Sequence, residues 1–260
     1  MIVDKVFVIN LKSRTDRKQN MIIELNKAQI ENYEFFDAVE PVSETEINNW
    51  NPNFVKNKPP WLNTNFLKYR LGSLGCMLSH IEIMKIALQR KYEKILILED
   101  DIQFKFLNGQ SFESIFKNFI EKELMNIPYD FLYLGGIHSL DKLTQVTKHI
   151  HKTTDTLTTS SYILNKRAMN LILTHITSTV NEIDIFYKKL QNLDVLNIYT
   201  IIPCMVIQKP DYSNIIQKNV AYIFDNINEK NKKKEIISNN TKDILNNINN
   251  KNKRKKRKKK

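Results

Sequence analysis

The segment Lys94-Ile95-Leu96-Ile97-Leu98-Glu99-Asp100-Asp101 constrains the fold more than any other part of the chain. Successive side chains of a strand point to opposite faces, so four consecutive aliphatic residues bury both faces at once. That is the habit of an inner strand in a sheet covered by helices, and it points to the α/β class. Val6-Phe7-Val8-Ile9 has the same character near the N-terminus. A helical spacing through Met21, Ile22, Leu25 and Ile30 follows it, and then Tyr33 to Val39 reads as a second strand. Strand, helix, strand is the opening of a nucleotide-binding sheet. A chain of 260 residues suits one large α/β domain or two small ones.

Residues 41 to 70 carry Pro41, Pro52, Pro59 and Pro60, which predict an irregular segment. Trp50 and Trp61 argue that it is ordered and that part of it covers a site. Gly72 to Arg90 predicts a helix after a glycine-containing turn, with Met77, His80, Ile81, Met84 and Leu88 at helical spacing. Phe112 to Leu124 predicts another helix, and Phe131 to Leu134 a strand ended by Gly135-Gly136. The Thr-rich segment from 144 to 159 reads as β structure. Ser160 to Leu164 then reads as a strand, Ala168 to Ile176 and the residues after Asp184 as helices, and Asn197 to Pro203 as a late strand. The expected division is a folded domain over residues 1–225 and a largely disordered Asn/Lys-rich tail over 226–260, with at most a weak amphipathic helix through Ile236, Ile237, Ile244 and Leu245.

The formal charge of +12 resembles that of a nucleic-acid binder, but its distribution does not. Nine of the residues from Lys251 to Lys260 are Lys or Arg, and without them the charge is +3. The run has no aromatic residues for base stacking, so the favoured reading is a solvated tail able to contact anionic surfaces, with no specific nucleic acid as partner. Two cysteines, Cys76 and Cys204, make no disulfide framework and suit a reducing compartment. The N-terminal apolar run is too short for a signal peptide, and no stretch reads as a transmembrane span. The expected location is therefore soluble and cytoplasmic.

Three places carry candidate chemistry. The apolar strand at 95–98 delivers Glu99, Asp100 and Asp101 at its C-terminal end, the edge where open α/β sheets bind ligands. Three adjacent acids need a counter-charge, and a hard divalent cation supplies it. In extended chain Glu99 and Asp101 face one way and Asp100 the other. This is the spacing of an acid-x-acid motif that holds Mn²⁺ or Mg²⁺ against a nucleoside diphosphate; a solvated acidic turn is the bland alternative. Asn10-Leu11, Arg14 and Arg17 close the first strand and open the first helix, a natural place for a nucleotide, with the two arginines on one face. An ordinary capped helix start would look the same. Gly72 to His80 combines glycines suited to close approach with Ser79 and His80, which can touch a ligand or serve the core; Cys76 reads as a small core residue.

Taken in order, Val8-Ile9-Asn10-Leu11-x-x-Arg14-x-Asp16-Arg17, Gly75-Cys76-x-Leu78-Ser79-His80, Ile97-Leu98-Glu99-Asp100-Asp101 and Tyr129 to Gly135 resemble glycosyltransferase family 25, the lipopolysaccharide-type and procollagen-type transferases. Ser161 to Leu164 and Asp184 extend the resemblance, which spans roughly residues 3 to 215. It implies a GT-A fold with a mixed, mostly parallel sheet flanked by helices. It also implies a UDP-sugar donor, Mn²⁺, and inverting transfer of galactose or glucose to a hydroxyl of a glycan or glycoprotein. An inverting transfer needs a general base. The resemblance places it at Asp184, with Glu182 as the alternative, although Asn181-Glu182-Ile183-Asp184 departs from the family's small apolar-Val-Asp lead. Both acids also suit a helix cap. Gln208 and Ser213 resemble positions that close over the donor. The rival readings are a catalytically inactive protein that binds glycan or nucleotide sugar with the same fold, a tail-driven nucleic-acid binder, and a metal-dependent phosphotransferase or nuclease. The absence of a Walker-type loop counts against an NTPase. The resemblance and the AT-rich residue usage suit a viral or bacterial surface-glycan role.

Overall fold

The computed structural model describes residues 3–105 and 111–220. They lie in one compact unit, Met1–Phe224. The tail expected over 226–260 falls outside the described residues.

The elements run in the order β1 (Lys5–Asn10), α1 (Thr15–Ala28), β2 (Tyr33–Asp37), α2 (Glu44–Trp50), α3 (Phe66–Gln89), β3 (Lys94–Glu99) and β4 (Ile102–Phe104). Next come α4 (Phe112–Ile115), a π-helical turn (Phe116–Ile120), α5 (Glu121–Leu124), β5 (Phe131–His138), β6 (Leu143–Gln145), β7 (Ile150–Thr153) and β8 (Thr156–Asn165). The sequence closes with α6 (Lys166–His175), α7 (Ile183–Leu193), β9 (Ile198–Ile201), β10 (Val206–Gln208), β11 (Asp211–Ser213) and β12 (Lys218–Val220). Eight strands form the main sheet in the order β2-β1-β3-β8-β5-β9-β7-β6. β1 pairs in parallel with β2 and β3, β5 in parallel with β9, and β8 runs antiparallel between β3 and β5. β7 and β6 add two antiparallel pairs at one edge. Six of the eight strands therefore share a direction, with β7 and β8 reversed. This is the mixed, mostly parallel sheet that the family resemblance implies, and the two-faced apolar strands β1 and β3 lie inside it as their pattern predicts.

The aliphatic run splits between the two faces as its alternation requires. Ile95 and Ile97 join Phe7, Phe131 and Tyr162 beneath α3, α6 and α7. Leu96 and Leu98 join Val6, Val8 and Ile163 beneath α1 and the α4–α5 segment. All four are fully buried.

Four local expectations change. The segment 41–70 is not irregular throughout. Glu46 reaches back to accept hydrogen bonds from the Val42 and Ser43 N–H groups at 2.8 and 2.9 Å, and α2 starts there. α3 begins at Phe66, where the Asn65 side chain accepts the Lys68 N–H at 3.0 Å, and Gly72 and Gly75 lie inside it. At 75 the constraint is contact: a Cβ there would stand 2.4 Å from the Val39 carbonyl oxygen. α3 is also long and apolar enough to cross a membrane by length and composition, which the sequence reading did not pick up. Twelve of its residues are buried within the fold, as in a central core helix. Finally, β5 does not stop at Gly135-Gly136. It continues to His138 with register shifts against β8, and a Cβ on Gly135 would lie 1.9 Å from the Val206 carbonyl oxygen. The glycine lets the β10 backbone lie across the strand.

That crossing matters for the site. β10 pairs with β4, and the Lys209 N–H donates to the Asp101 carbonyl at 2.7 Å. The chain after β10 is thereby held over the C-terminal edge of β3, bringing Gln208, Asp211 and Ser213 beside the acids.

Candidate functional site

β3 ends at Glu99, and the chain turns at Asp100 and Asp101, so the turn and its partners, not strand alternation, set where the three acids go. Asp100 turns to β1 and α1: its two oxygens accept from Asn10 Nδ2 and Arg17 Nη1, each at 2.7 Å. Asp101 accepts from Gln208 Nε2 at 2.9 Å and more weakly from Arg17 Nη1 at 3.3 Å through one oxygen. Its other oxygen, Oδ1, is buried with no hydrogen-bond partner among the described residues. Glu99 Oε1 accepts from Thr159 Oγ1 at 2.6 Å and lies 3.6 Å from His80 Nε2.

The electrostatics follow from this crowding. Burial, followed by the neighbouring Glu99 charge, pushes Asp101 up to about 7. Burial also raises Asp100 against the pull of Arg17 and Asn10. Burial works on Glu99 in the same sense, but His80 and Thr159 outweigh it and hold that carboxyl below its ordinary value. The counter-charge expected only from a metal is partly internal, since Arg17 supplies one positive charge. Three carboxylates against one guanidinium still leave an excess of negative charge, and an unpaired buried carboxylate oxygen is costly. Glu99 and Asp101 therefore offer the all-oxygen ligand set that Mn²⁺ or Mg²⁺ prefers. Both oxygens of Asp100 are already engaged.

Arg14 and Arg17 share a face, as their spacing predicts, and their guanidiniums are engaged within the protein. Arg17 is buried; besides the two aspartates it donates to Asp211 Oδ2 at 2.9 and 3.1 Å and to the Tyr212 carbonyl at 2.8 Å. Arg14 holds Asp16 at 2.8 and 2.9 Å and the Asn214 side chain at 2.9 Å. The pair fastens the β11 segment over the end of β1. A phosphate could reach the Arg17 guanidinium only by displacing these partners, whereas Arg14, with three hydrogen bonds and 20% of its side chain exposed, keeps donors to spare. Asn10 is likewise committed, donating to Asp100 and to the Arg14 carbonyl at 3.1 Å.

Two cavities meet at this edge. One, of about 360 Å³, is bordered by Leu11, Val39, Pro41, Lys68 and Gly72, with the three acids at its inner end. The other, of about 590 Å³, is bordered by Trp61, Tyr69, Ser73, Thr158, Glu182 and Asp184. Cys76, Glu99, Gln208, Ser213 and Ile215 belong to both walls. The loop that Trp61 was expected to order does form cavity wall, and Trp61 packs edge-on against Tyr69 at 5.7 Å.

Asp184 and Glu182 sit together on the wall of the larger cavity, at the start of α7. Asp184 Oδ1 accepts the Ile185 N–H at 2.8 Å, so it tends the helix start while facing the cavity. Burial, reinforced by Glu182, raises its carboxyl above the ordinary aspartate value despite that N–H. Glu182 Oε1 instead accepts the Tyr69 hydroxyl at 2.9 Å. The Ser79 hydroxyl is spent on the backbone, donating to the Gly75 carbonyl at 2.7 Å and accepting the Val39 N–H at 2.9 Å. It fastens α3 to the chain after β2. His80 is fully buried, with Nδ1 held 2.6 Å from the Tyr162 hydroxyl. Ser213 Oγ accepts the Ile216 N–H at 3.1 Å.

Sequence reading assigned no chemical role to Cys76, Thr159, Trp61, Tyr69 or Asp211. Cys76 was legible in part, because it lies four residues before His80 and shares its helical face. The others are brought in by strands and loops far away in the chain.

Comparison with known proteins gives a consistent family. The sequence profile of glycosyltransferase family 25 (LPS biosynthesis protein) matches residues 3–187. Procollagen galactosyltransferase 2 of Mus musculus is 27% identical over 135 residues, covering 51% of this chain and 20% of that protein. Inactive glycosyltransferase 25 family member 3 of Homo sapiens is 29% identical over 140 residues, covering 51% of this chain and 22% of that protein. These matches span about a fifth of each relative's length. Among solved structures, a glycosyltransferase involved in the glycosylation of the major capsid of PBCV-1 aligns over 74% of this chain and 68% of that one, at 11% identity and a TM-score of 0.31.

Proposed function

The chain belongs to glycosyltransferase family 25, and from that premise we propose that it moves a hexose, galactose or glucose, from a UDP-sugar to a hydroxyl of a glycan or glycoprotein, with inversion. The observation that carries this reading is the meeting of two cavities at Glu99, with a buried Asp101 oxygen that lacks a partner among the described residues on one side and a base candidate on the other. The nucleotide occupies the smaller cavity, between Leu11 and the Val39–Pro41 segment, with its diphosphate toward the acids in a GT-A arrangement. Glu99 and Asp101 would hold Mn²⁺ or Mg²⁺ there, which would supply positive charge against the diphosphate of the leaving group. Asp100, fixed by Asn10 and Arg17, positions the strand end and binds no ligand directly. Gln208 orients Asp101, and Ser213 closes the wall shared by the two cavities.

The acceptor enters the larger cavity past Trp61 and Tyr69, whose aromatic faces suit a sugar ring. Asp184 takes the proton from the attacking hydroxyl. Its raised pKa brings it nearer the range in which a carboxylate is an effective base at neutral pH. Glu182, engaged by Tyr69, positions that wall.

A donor-turnover screen with UDP- and GDP-sugars and Mn²⁺ tests this, with Glu99→Ala/Asp101→Ala as the control. Metal-dependent turnover of one donor, lost in the double variant, supports the reading. Metal-dependent binding without turnover, even with glycan acceptors supplied, favours an inactive binder; one human relative is itself described as an inactive family member. Absence of both overturns the assignment of the strand end.

A further inference from the structure

The wall between the two cavities carries three ligand types that the transfer reading does not use together. We propose that Cys76 Sγ, His80 Nε2 and a Glu99 carboxylate oxygen form a three-ligand site for a soft divalent cation of the zinc class, separate from the all-oxygen pair of Glu99 and Asp101. The ligand atoms lie within 4.8 Å of one another. In tetrahedral zinc sites, bonds of about 2.0–2.3 Å place ligand atoms roughly 3.3–3.7 Å apart. His80 Nε2 and Glu99 Oε1 are already at 3.6 Å. Adjustment of the Cys76 side chain closes the rest, about an ångström, while Glu99 keeps its contacts with His80 and Thr159.

A second observation points to a ligand at the same place. His80 is fully buried, and among the described residues its Nε2 has no hydrogen-bond partner. A buried ring nitrogen without a partner is unfavourable, and a metal ion satisfies it. The opposite nitrogen is fixed: Nδ1 lies 2.6 Å from the Tyr162 hydroxyl, which lies 3.1 Å from Tyr187 Oη. Nε2 is thereby held toward Glu99, and in the tautomer with the proton on Nδ1 it is free to coordinate a cation. Metal-binding histidines are characteristically braced through their other nitrogen in this way. Thr159 braces Glu99 from its own side at 2.6 Å.

The three side chains stand on rigid elements. Cys76 and His80 lie one turn apart on α3, and Glu99 ends the inner strand β3. Sulfur and imidazole select a softer ion than Mg²⁺ or Ca²⁺. Because Cys76 and Glu99 border both cavities, the fourth position opens to water, as in zinc sites with three protein ligands. Binding releases the thiol proton to solvent, and neutral His80 coordinates through its lone pair. The ion shares Glu99 with the oxygen pair, so zinc-class and hard cations exclude one another at that carboxylate.

Cobalt(II) titration of the chelator-stripped full chain tests the assignment without any need for transfer activity. The expected result is a thiolate-to-cobalt charge-transfer band that saturates at one equivalent, is abolished by added zinc, persists in Cys204→Ser and is absent in Cys76→Ser. Circular dichroism and thermal melting establish that both variants are folded, and zinc calorimetry should show at least a ~100-fold weaker affinity in Cys76→Ser. A wild-type chain with no band, a band that survives Cys76→Ser, or one lost only in Cys204→Ser overturns the site. Failure of the donor screen leaves this experiment unaffected.

Discussion

Replacing Arg17 by methionine keeps most of the side-chain volume and removes the one cation shared by Asp100, Asp101 and Asp211. The cost can be worked from their exposure. Asp211 is 43% exposed and contributes little once its partner is gone. Asp101 already titrates near 7, so it escapes further strain by staying protonated. The loss therefore falls on Asp100, which is 9% exposed and keeps only Asn10 as a partner. Without Arg17 its carboxyl either remains charged at high cost or takes up a proton in the folded state. Protonation sets the ceiling. From an unfolded value of about 3.9 to pH 7 is roughly three units, at about 1.4 kcal/mol each, or about 4 kcal/mol, and burial of Asp100 in the wild type already accounts for part of it. Removing one member of a buried ion pair costs about 3–5 kcal/mol, which agrees. The sign with pH follows. The variant's Asp100 has a folded pKa raised above the unfolded one, so its penalty is absent at low pH and grows as pH rises. Urea unfolding of wild-type and Arg17→Met chains should give a difference of about 2–4 kcal/mol at pH 7 that falls below about 1.5 kcal/mol at pH 5. A difference below about 1 kcal/mol at pH 7, or one equal at both pH values, would refute the counter-ion role.

Other consequences can be checked in the same way. Asp101→Asn removes a carboxyl whose folded pKa is raised to about 7, so the metal-free variant should gain stability, on the order of 4 kcal/mol, at pH 8 and nothing below pH 4. Mn²⁺ should raise the melting temperature of the wild type and not of that variant. Asp184→Asn should lower kcat roughly 10²–10⁴-fold. In the wild type, burial and Glu182 place the acid limb of the pH–rate profile above the ordinary aspartate range; activity falls as pH drops through it, and the variant lacks that limb. Gly135→Ala should cost about 3 kcal/mol or more in urea unfolding, because its Cβ would meet the Val206 carbonyl oxygen at 1.9 Å and both are backbone-fixed. A neutral result there would mean that the β10 crossing yields easily.

What the amino-acid sequence determined by itself is local and periodic. Ile95 to Leu98 has a single physical outcome, a strand covered on both faces, and Val6 to Ile9 repeats it; together they set the sheet and place Glu99 to Asp101 at its edge. The expected alternation of Asp100 against Glu99 and Asp101 assumed extended chain, whereas the backbone turns at Asp100 and Asp101 and both aspartates meet Arg17. The start of α3 was misplaced because Gly72 and Gly75 read as a turn; their purpose, close contact with Ile215 and with the chain after β2, lies with residues distant in sequence. α2 was legible in Ser43 and Glu46 and was masked by the surrounding prolines. Only the tertiary structure decided who neutralises the acids. Arg17 meets Asp211 across 194 positions, and no local pattern records a pairing made by β10 and β11 folding back over β3. For the same reason Cys76, His80 and Glu99 become one cluster only when α3 lies against the sheet. Periodicity reports what a segment buries, whereas the partner of a buried charge is chosen by whichever distant segment the packed core brings within about 3 Å of it.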